Sequence, residues 1–190
     1  LKHLINKKVV AHPSAFVNRY RNRNNTQLGI PISKEEGEKN NKFKFQLSQK
    51  AFKLDEQTWF LGEIPRVTPF ENKETTFHFE NGEPDFILDD SGIAIETPKG
   101  LVIISGCAHA GICNTIIHAR NVTGIENVHA VMGGFHLTEQ NEQLFQTIEW
   151  LKSNNIAKVM PSHCTALPAL SALYQTFKFA QVKTGNTIVL

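Results

Sequence analysis

The sequence predicts an α/β fold in which strands and helices alternate, and three observations carry that prediction. In the second half of the chain, apolar runs at residues 101–104, 128–132 and 157–160 are separated by segments whose apolar residues recur at helical spacing. Pro98-Lys99-Gly100 joins two apolar runs as a hairpin turn, and Gly124 stands where a helical segment has to stop. Three of the strand-like runs end in polar, punctuated motifs: Gly106-Cys107-Ala108-His109-Ala110-Gly111, Gly133-Gly134-Phe135-His136 and Pro161-Ser162-His163-Cys164-Thr165. Alternating elements build helices onto a sheet, and ligands in such folds sit beyond the carboxyl ends of the strands.

Taken in order, residues 1–5 read as the tail of an amphipathic helix leading into a short strand over 8–11. A helix that short is marginal alone. Residue 1 is Leu rather than Met, so the sequence reads as the carboxy-terminal portion of a longer protein. A polar insertion follows, over about 22–58, whose charged stretch at 34–41 is predicted as a surface loop. Phe43, Phe45 and Leu47 alternate with polar residues and predict a half-buried strand. Trp59-Phe60-Leu61-Gly62 predicts another, and Pro65 forces a turn at Glu63-Ile64-Pro65-Arg66.

The hairpin pairs 93–97 with 101–104, and Ile112, Ile116, Ile117 and Ala119 then share one face of a helix. After the strand at 128–132, a helix is predicted from near Thr138, with Glu139 and Glu142 in its first turn and Leu144, Ile148 and Leu151 facing the core. A strand at 157–160, a helix at 167–177 and a closing strand-like run at 187–190 complete the pattern.

A chain of 190 residues that is 41% hydrophobic can build one core, so residues 1–190 are read as one domain. Twenty basic against eighteen acidic residues leave a net charge of only +2, which argues against a nucleic-acid partner. No run reaches the roughly 18 apolar residues of a membrane span. Three cysteines without regular pairing argue against a disulfide framework and for a reducing, cytoplasmic setting.

Cys107, His109, His136 and His163 are the candidate site residues, because a soft sulfur and three imidazoles at successive strand ends can converge on a metal ion. Each has a plainer reading: an inert buried thiol, a helix cap, or a histidine beside a tight turn. They are not independent, since strand ends are neighbours. His118 and His129 fall inside a helix and a strand, and His3, His12 and His78 have no partner at ligand spacing, so these five read as structural or surface residues. Cys113 lies within a helix, which leaves Cys164 as the thiol nearer the site. Nothing before residue 107 offers clustered histidines.

These strings carry a resemblance. Residues 100–112, together with Gly133-Gly134-Phe135-His136-Leu137 and Pro161-Ser162-His163-Cys164-Thr165, resemble the metallo-β-lactamase superfamily. Within it they look like the branch of dihydropterin-ribofuranosyl-aminobenzene-phosphate synthase-like proteins. Ala11-His12-Pro13-Ser14-Ala15-Phe16, residues 62–71 and Asp89-Asp90 extend the likeness over essentially the whole chain.

The resemblance implies a metallo-β-lactamase-like αββα sandwich with a di-metal site at one edge, holding two zinc ions or, in some members, iron or manganese. Cys107 stands where the superfamily places a bridging Asp or a metal-binding Cys, and His163 matches the last ligand His. The middle ligand His is missing, with Asp85, Asp89 and Asp90 in its region, which leaves Asp90 or His109 as the substitute. The His-x-His-x-Asp-His motif of the superfamily is also absent, as though the chain began just after it, so weak metal binding is expected of the chain by itself.

The implied activity is that of a metal-dependent hydrolase using activated water on a small ester, lactone or phosphoester. His136 is the residue expected to contact substrate or protonate the leaving group. Glu63 and Arg66 approach the same edge from the insertion. The competing reading is a non-catalytic half-domain serving as a binding or structural module, and an apolar sheet face without its second layer favours a homodimer.

Overall fold

A computed structural model describes residues 6–39, 42–180 and 182–189. In chain order the first half contains β1 (Lys7–Ala11), a 3-10 turn (Pro13–Phe16), β2 (Arg19–Arg21), β3 (Gln27–Leu28), α1 (Lys34–Glu38), β4 (Phe43–Leu47), β5 (Phe52–Lys53), β6 (Thr58–Phe60) and β7 (Phe77–Phe79). The second half runs β8 (Gly92–Thr97), β9 (Gly100–Ser105), α2 (Ile112–Thr123), β10 (Val128–Gly133), α3 (Glu142–Ser153), β11 (Lys158–Pro161) and α4 (Leu167–Phe177). The expected helix tail at 1–5 lies outside the described residues.

Period-two alternation in β9 organises the molecule. Leu101 and Ile103 join the larger core cluster, in which Ile112, Ile116, Leu144, Leu151 and Leu173 bring α2, α3 and α4 onto one face of the sheet. Val102 points the other way, to a smaller cluster with Ala130 and Met160, flanked by Phe179 and Val182. Both faces of β9 are therefore covered, which is why its sequence reads as an unbroken apolar run.

The main sheet has the order β11-β10-β9-β8-β6-β5. β9, β10 and β11 run parallel, and β8 closes the predicted hairpin antiparallel to β9. The first half of the chain, polar insertion included, is more ordered than its composition suggests. β1 pairs parallel with β4, and β2 lies between β3 and β7.

Three expectations are corrected. The charged stretch predicted as a loop contains α1, because Ser33 and Glu36 form a reciprocal capping box and Gly37, lacking a Cβ, lies against the Phe45 ring. α3 starts at Glu142 rather than near Thr138, because Asn141 supplies the cap by accepting the Leu144 N–H at 3.0 Å. Residues 187–189 form no strand. α2 and α4 keep their predicted limits, the former ended by Gly124 at φ 71°. Among the described residues no helix is long and apolar enough to cross a membrane.

Candidate metal centre

The register of the main sheet brings the three punctuated motifs to one level, since Gly133 at the end of β10 pairs with both Ser105 of β9 and Pro161 of β11. Backbone bonds then stitch the loops together. Gly134 N–H donates to Gly106 O at 2.9 Å, and Ser162 N–H donates to Gly133 O at 2.8 Å. Phe135 N–H donates to Thr165 Oγ1 at 3.1 Å, and Ser105 Oγ donates to Gly134 O at 2.9 Å.

Each loop also holds one non-glycine residue in the left-handed region: Ala108 at φ 51°, His136 at φ 48° and Cys164 at φ 50°. Such backbone is sparsely populated and clusters where structure is shaped for a site.

The loops deliver three metal-type donors. Cys107 Sγ lies 3.7 Å from His163 Nε2, and these atoms with Cys164 Sγ all fall within 4.8 Å of one another. A tetrahedral zinc ion bound by a thiolate and an imidazole would separate S and N by about 3.6 Å, so this pair fits such an ion with little adjustment. Ser162 Oγ, 3.2 Å from His163 Nδ1, orients that ring and leaves Nε2 for the ligand role. A hydrogen bond with the Cys164 thiol, then one with His109, pull the Cys107 thiol far below its ordinary value, against the effect of burial. The same bond, followed by burial, pushes Cys164 up. Of the two, Cys107 carries the negative charge.

His109 and His136 sit beside these donors, with ring centroids 4.1 Å apart and Phe77 against both. Burial and then His109 depress His136 below the usual histidine value, while Cys107 opposes them. Both histidines line a cavity of about 610 Å³ together with Phe70, Phe77, Phe86 and Lys73.

Asp90, one of the two candidates for the remaining ligand, lines a cavity with Cys107 and His109. Its Oδ2 accepts the Ala110 N–H at 2.9 Å, so its buried carboxylate braces the 106–111 loop from behind. Burial raises it above the ordinary carboxylate value, opposed first by that bond. Asp85 and Asp89 are taken by Arg19, at 3.0 and 2.7 Å.

The segment between β6 and β8 supplies supports, of which Arg66 was expected at this edge and Asn72 was not identified from the sequence. Arg66 donates to Phe86 O at 2.8 Å, Ile87 O at 3.1 Å and Asn72 Oδ1 at 2.8 Å, and Asn72 Nδ2 donates to His109 O at 2.6 Å. Glu63, the other residue expected to approach this edge, pairs instead with the buried His12 at 3.3 Å. His12 accepts the Ser14 N–H on Nδ1, so its Nε2 carries the proton toward Glu63. It lines a smaller cavity with Asp90, Cys107 and His109, and the signal for it was its place one residue past β1.

Strand ends that gather cysteine and histidine side chains at one edge of a sheet covered by helices define an α/β domain of metallo-β-lactamase type. The comparisons agree with that class. No protein-family model matches the chain. It is 34% identical over 197 residues to the 7,8-dihydropterin-6-methyl-4-(β-D-ribofuranosyl)-aminobenzene-5′-phosphate synthase of Methanocaldococcus jannaschii, covering 97% of this chain and 67% of that protein. It is 30% identical over 188 residues to an uncharacterized protein of the same organism, covering 97% of this chain and 69% of the relative. In fold it is similar to the crystal structure of a metal-dependent hydrolase of the β-lactamase superfamily, with a TM-score of 0.77, 24% identity, and coverage of 92% of this chain and 67% of that one. The chain belongs to the metallo-β-lactamase superfamily, in the branch that contains the dihydropterin-ribofuranosyl-aminobenzene-phosphate synthase.

Proposed function

We propose that this chain forms one side of a metal-dependent active site that acts on a small phosphoester, ester or lactone. The observation that carries the reading is the 3.7 Å approach of Cys107 Sγ to His163 Nε2 beside a cavity walled by His109 and His136. Thiolate and imidazole donors suit zinc, with iron tolerated. The chemistry such an ion supplies, singly or as a pair, is Lewis acidity and a bound water whose pKa falls to about 7.

The chain's own residues do the rest. Cys107 and His163 hold the ion, with Ser162 fixing the imidazole. His136 faces the cavity and delivers a proton to the leaving group, while the His109 ring packs against it and sets its position. Phe70, Phe77 and Phe86 keep water from the apolar part of a substrate, and Lys73 offers a cation to a phosphoryl group. The name of the M. jannaschii relative contains an aminobenzene and a 5′-phosphate, and an aromatic phosphate suits this lining. Three free thiols fit the reducing cytoplasm as the place of action.

The test is metal content by mass spectrometry on the purified chain and its His163→Ala variant, alongside turnover of a panel of small phosphoesters and lactones. Bound metal that is lost in the variant, together with turnover, supports the reading. Equal metal in both proteins removes His163 as a ligand, and no metal in either makes the chain a non-catalytic module.

A further inference from the structure

We infer that Cys164 is a third protein ligand at the Cys107–His163 site, making it a two-sulfur, one-nitrogen centre for a thiophilic divalent ion such as zinc. This rests on the proposed metal site and goes beyond it by changing its donor set. Cys164 Sγ lies within 4.8 Å of both Cys107 Sγ and His163 Nε2, so a modest closing-in brings all three to the spacing of about 3.6–3.8 Å around one tetrahedral ion. Neighbouring residues seldom point two donors at one place, because successive side chains of extended backbone face opposite ways. Here the left-handed Cys164, at φ 50°, turns its sulfur back over the Cys107 loop to within 3.7 Å of Cys107 O.

A second observation supports the assignment. A Cβ on Gly134 would collide with Cys164 Sγ and would lie 3.0 Å from Cys107 Cα, so the glycine vacates the space the sulfur occupies. Cys113, by contrast, is buried within α2 and contributes nothing to the cluster. Asp90, which lines a cavity with Cys107, accepts the Ala110 N–H. Two thiolates and one imidazole leave a fourth position of a tetrahedral ion for water or substrate, the arrangement that catalytic zinc sites require.

Cobalt(II) is the probe, because its sulfur-to-metal charge-transfer absorption grows with the number of bound thiolates. The reduced chain titrated with cobalt should show this band, and Cys164→Ser should lose about half of it, one thiolate of two. Cys107→Ser should do the same, and Cys113→Ser should leave the band intact. A full band in Cys164→Ser overturns the inference while leaving the Cys107–His163 site standing; no band in the unaltered chain overturns both. A measurement without substitutions guards against misfolding: zinc should protect Cys107 and Cys164 alike from alkylation, read by peptide mass spectrometry. Protection of Cys107 alone overturns the assignment.

Discussion

Glu71 and Asn114 bind each other's segments. The Asn114 N–H donates to Glu71 Oε2 at 2.9 Å, while Asn114 Oδ1 accepts the N–H groups of Val67 and Thr68, each at 2.9 Å. The Cys113 N–H donates to the other Glu71 oxygen, also at 2.9 Å. A carboxylate 42 residues upstream thus caps α2, whose own N-cap, Gly111, offers no side chain. A Cβ on Gly111 would collide with Glu71, so the bare glycine is what lets the cap approach. The clamp also holds Asn72 where it bonds His109 O, and so couples the insertion to the candidate site.

Removing that cap has two separable effects. Glu71→Ala strands the Cys113 and Asn114 N–H groups and the Thr68 hydroxyl, and should cost about 3 kcal/mol in urea unfolding. Glu71→Gln tests the charge. Burial raises Glu71 above its ordinary 4.5, outweighing the bonds from Cys113, Asn114 and Thr68. Between 4.5 and its folded value, the folded chain binds more protons than the unfolded one, so this group's contribution is fullest below about pH 4.5 and is lost as pH rises through the folded value. The stability advantage of the unaltered chain over Glu71→Gln should therefore shrink from about pH 4.5 upward. Urea midpoints that run parallel across that range would contradict the shift.

Local chemistry made much of the fold legible. The hairpin at Pro98-Lys99-Gly100, the stop at Gly124 and the limits of α4 follow from residues within a few positions of each feature. The capping box of α1 was equally local, and composition masked it, because a run of charge reads as loop until Ser33 and Glu36 are matched. Pairing across distance was not legible. Nothing near β1 specifies β4 as its parallel partner, and nothing near Gly111 specifies Glu71. At the site, Cys107 and His163 announced themselves by strand-end position, and the structure places them together. Cys164 was legible only as the thiol nearer the site, because its sulfur reaches the other two donors through a left-handed backbone that residue type does not predict.

Arg19 should prove a structural centre of the first half of the chain. It is nearly buried, forms ion pairs with Asp85 at 3.0 Å and Asp89 at 2.7 Å, and donates to Ser14 O at 3.4 Å. Arg19→Ala leaves two carboxylates without their cation, which for a buried pair costs about 3–5 kcal/mol. Thermal unfolding should drop accordingly, and the Arg19→Ala/Asp85→Asn double variant should recover part of the loss. A double variant no more stable than Arg19→Ala would place the cost in packing rather than charge.

Gly134→Ala should weaken metal binding and stability together. The added carbon would meet Cys164 Sγ and lie 2.7 Å from Gly106 O, the acceptor of the bond that joins two of the loops. Overpacking of this kind costs about 1–3 kcal/mol. Because the sulfur is the movable obstacle, metal affinity should fall more steeply than the melting temperature. Zinc titration of the variant settles it, with unchanged affinity arguing against any coupling between the glycine and the donors.

His136 is the residue on which catalysis and architecture are easiest to confuse. Its ring lies on the His109 ring and near Phe77, so its loss would disturb packing even if it moved no proton. Its φ of 48° makes Ala a poor probe, since that conformation costs most side-chain-bearing residues energy, and Asn adopts it far more readily than Ala. His136→Asn preserves the backbone and removes the imidazole. If His136 protonates the leaving group, kcat on a small phosphoester should fall by about 10²–10⁴ with metal content nearly unchanged, far beyond what the modest loss of melting temperature from ring packing accounts for. The loss should also be smallest for substrates whose leaving groups are already acidic, because these need no proton to depart. A uniform loss across leaving groups, or one that tracks a fall in melting temperature, would assign His136 to holding the loop rather than to the reaction.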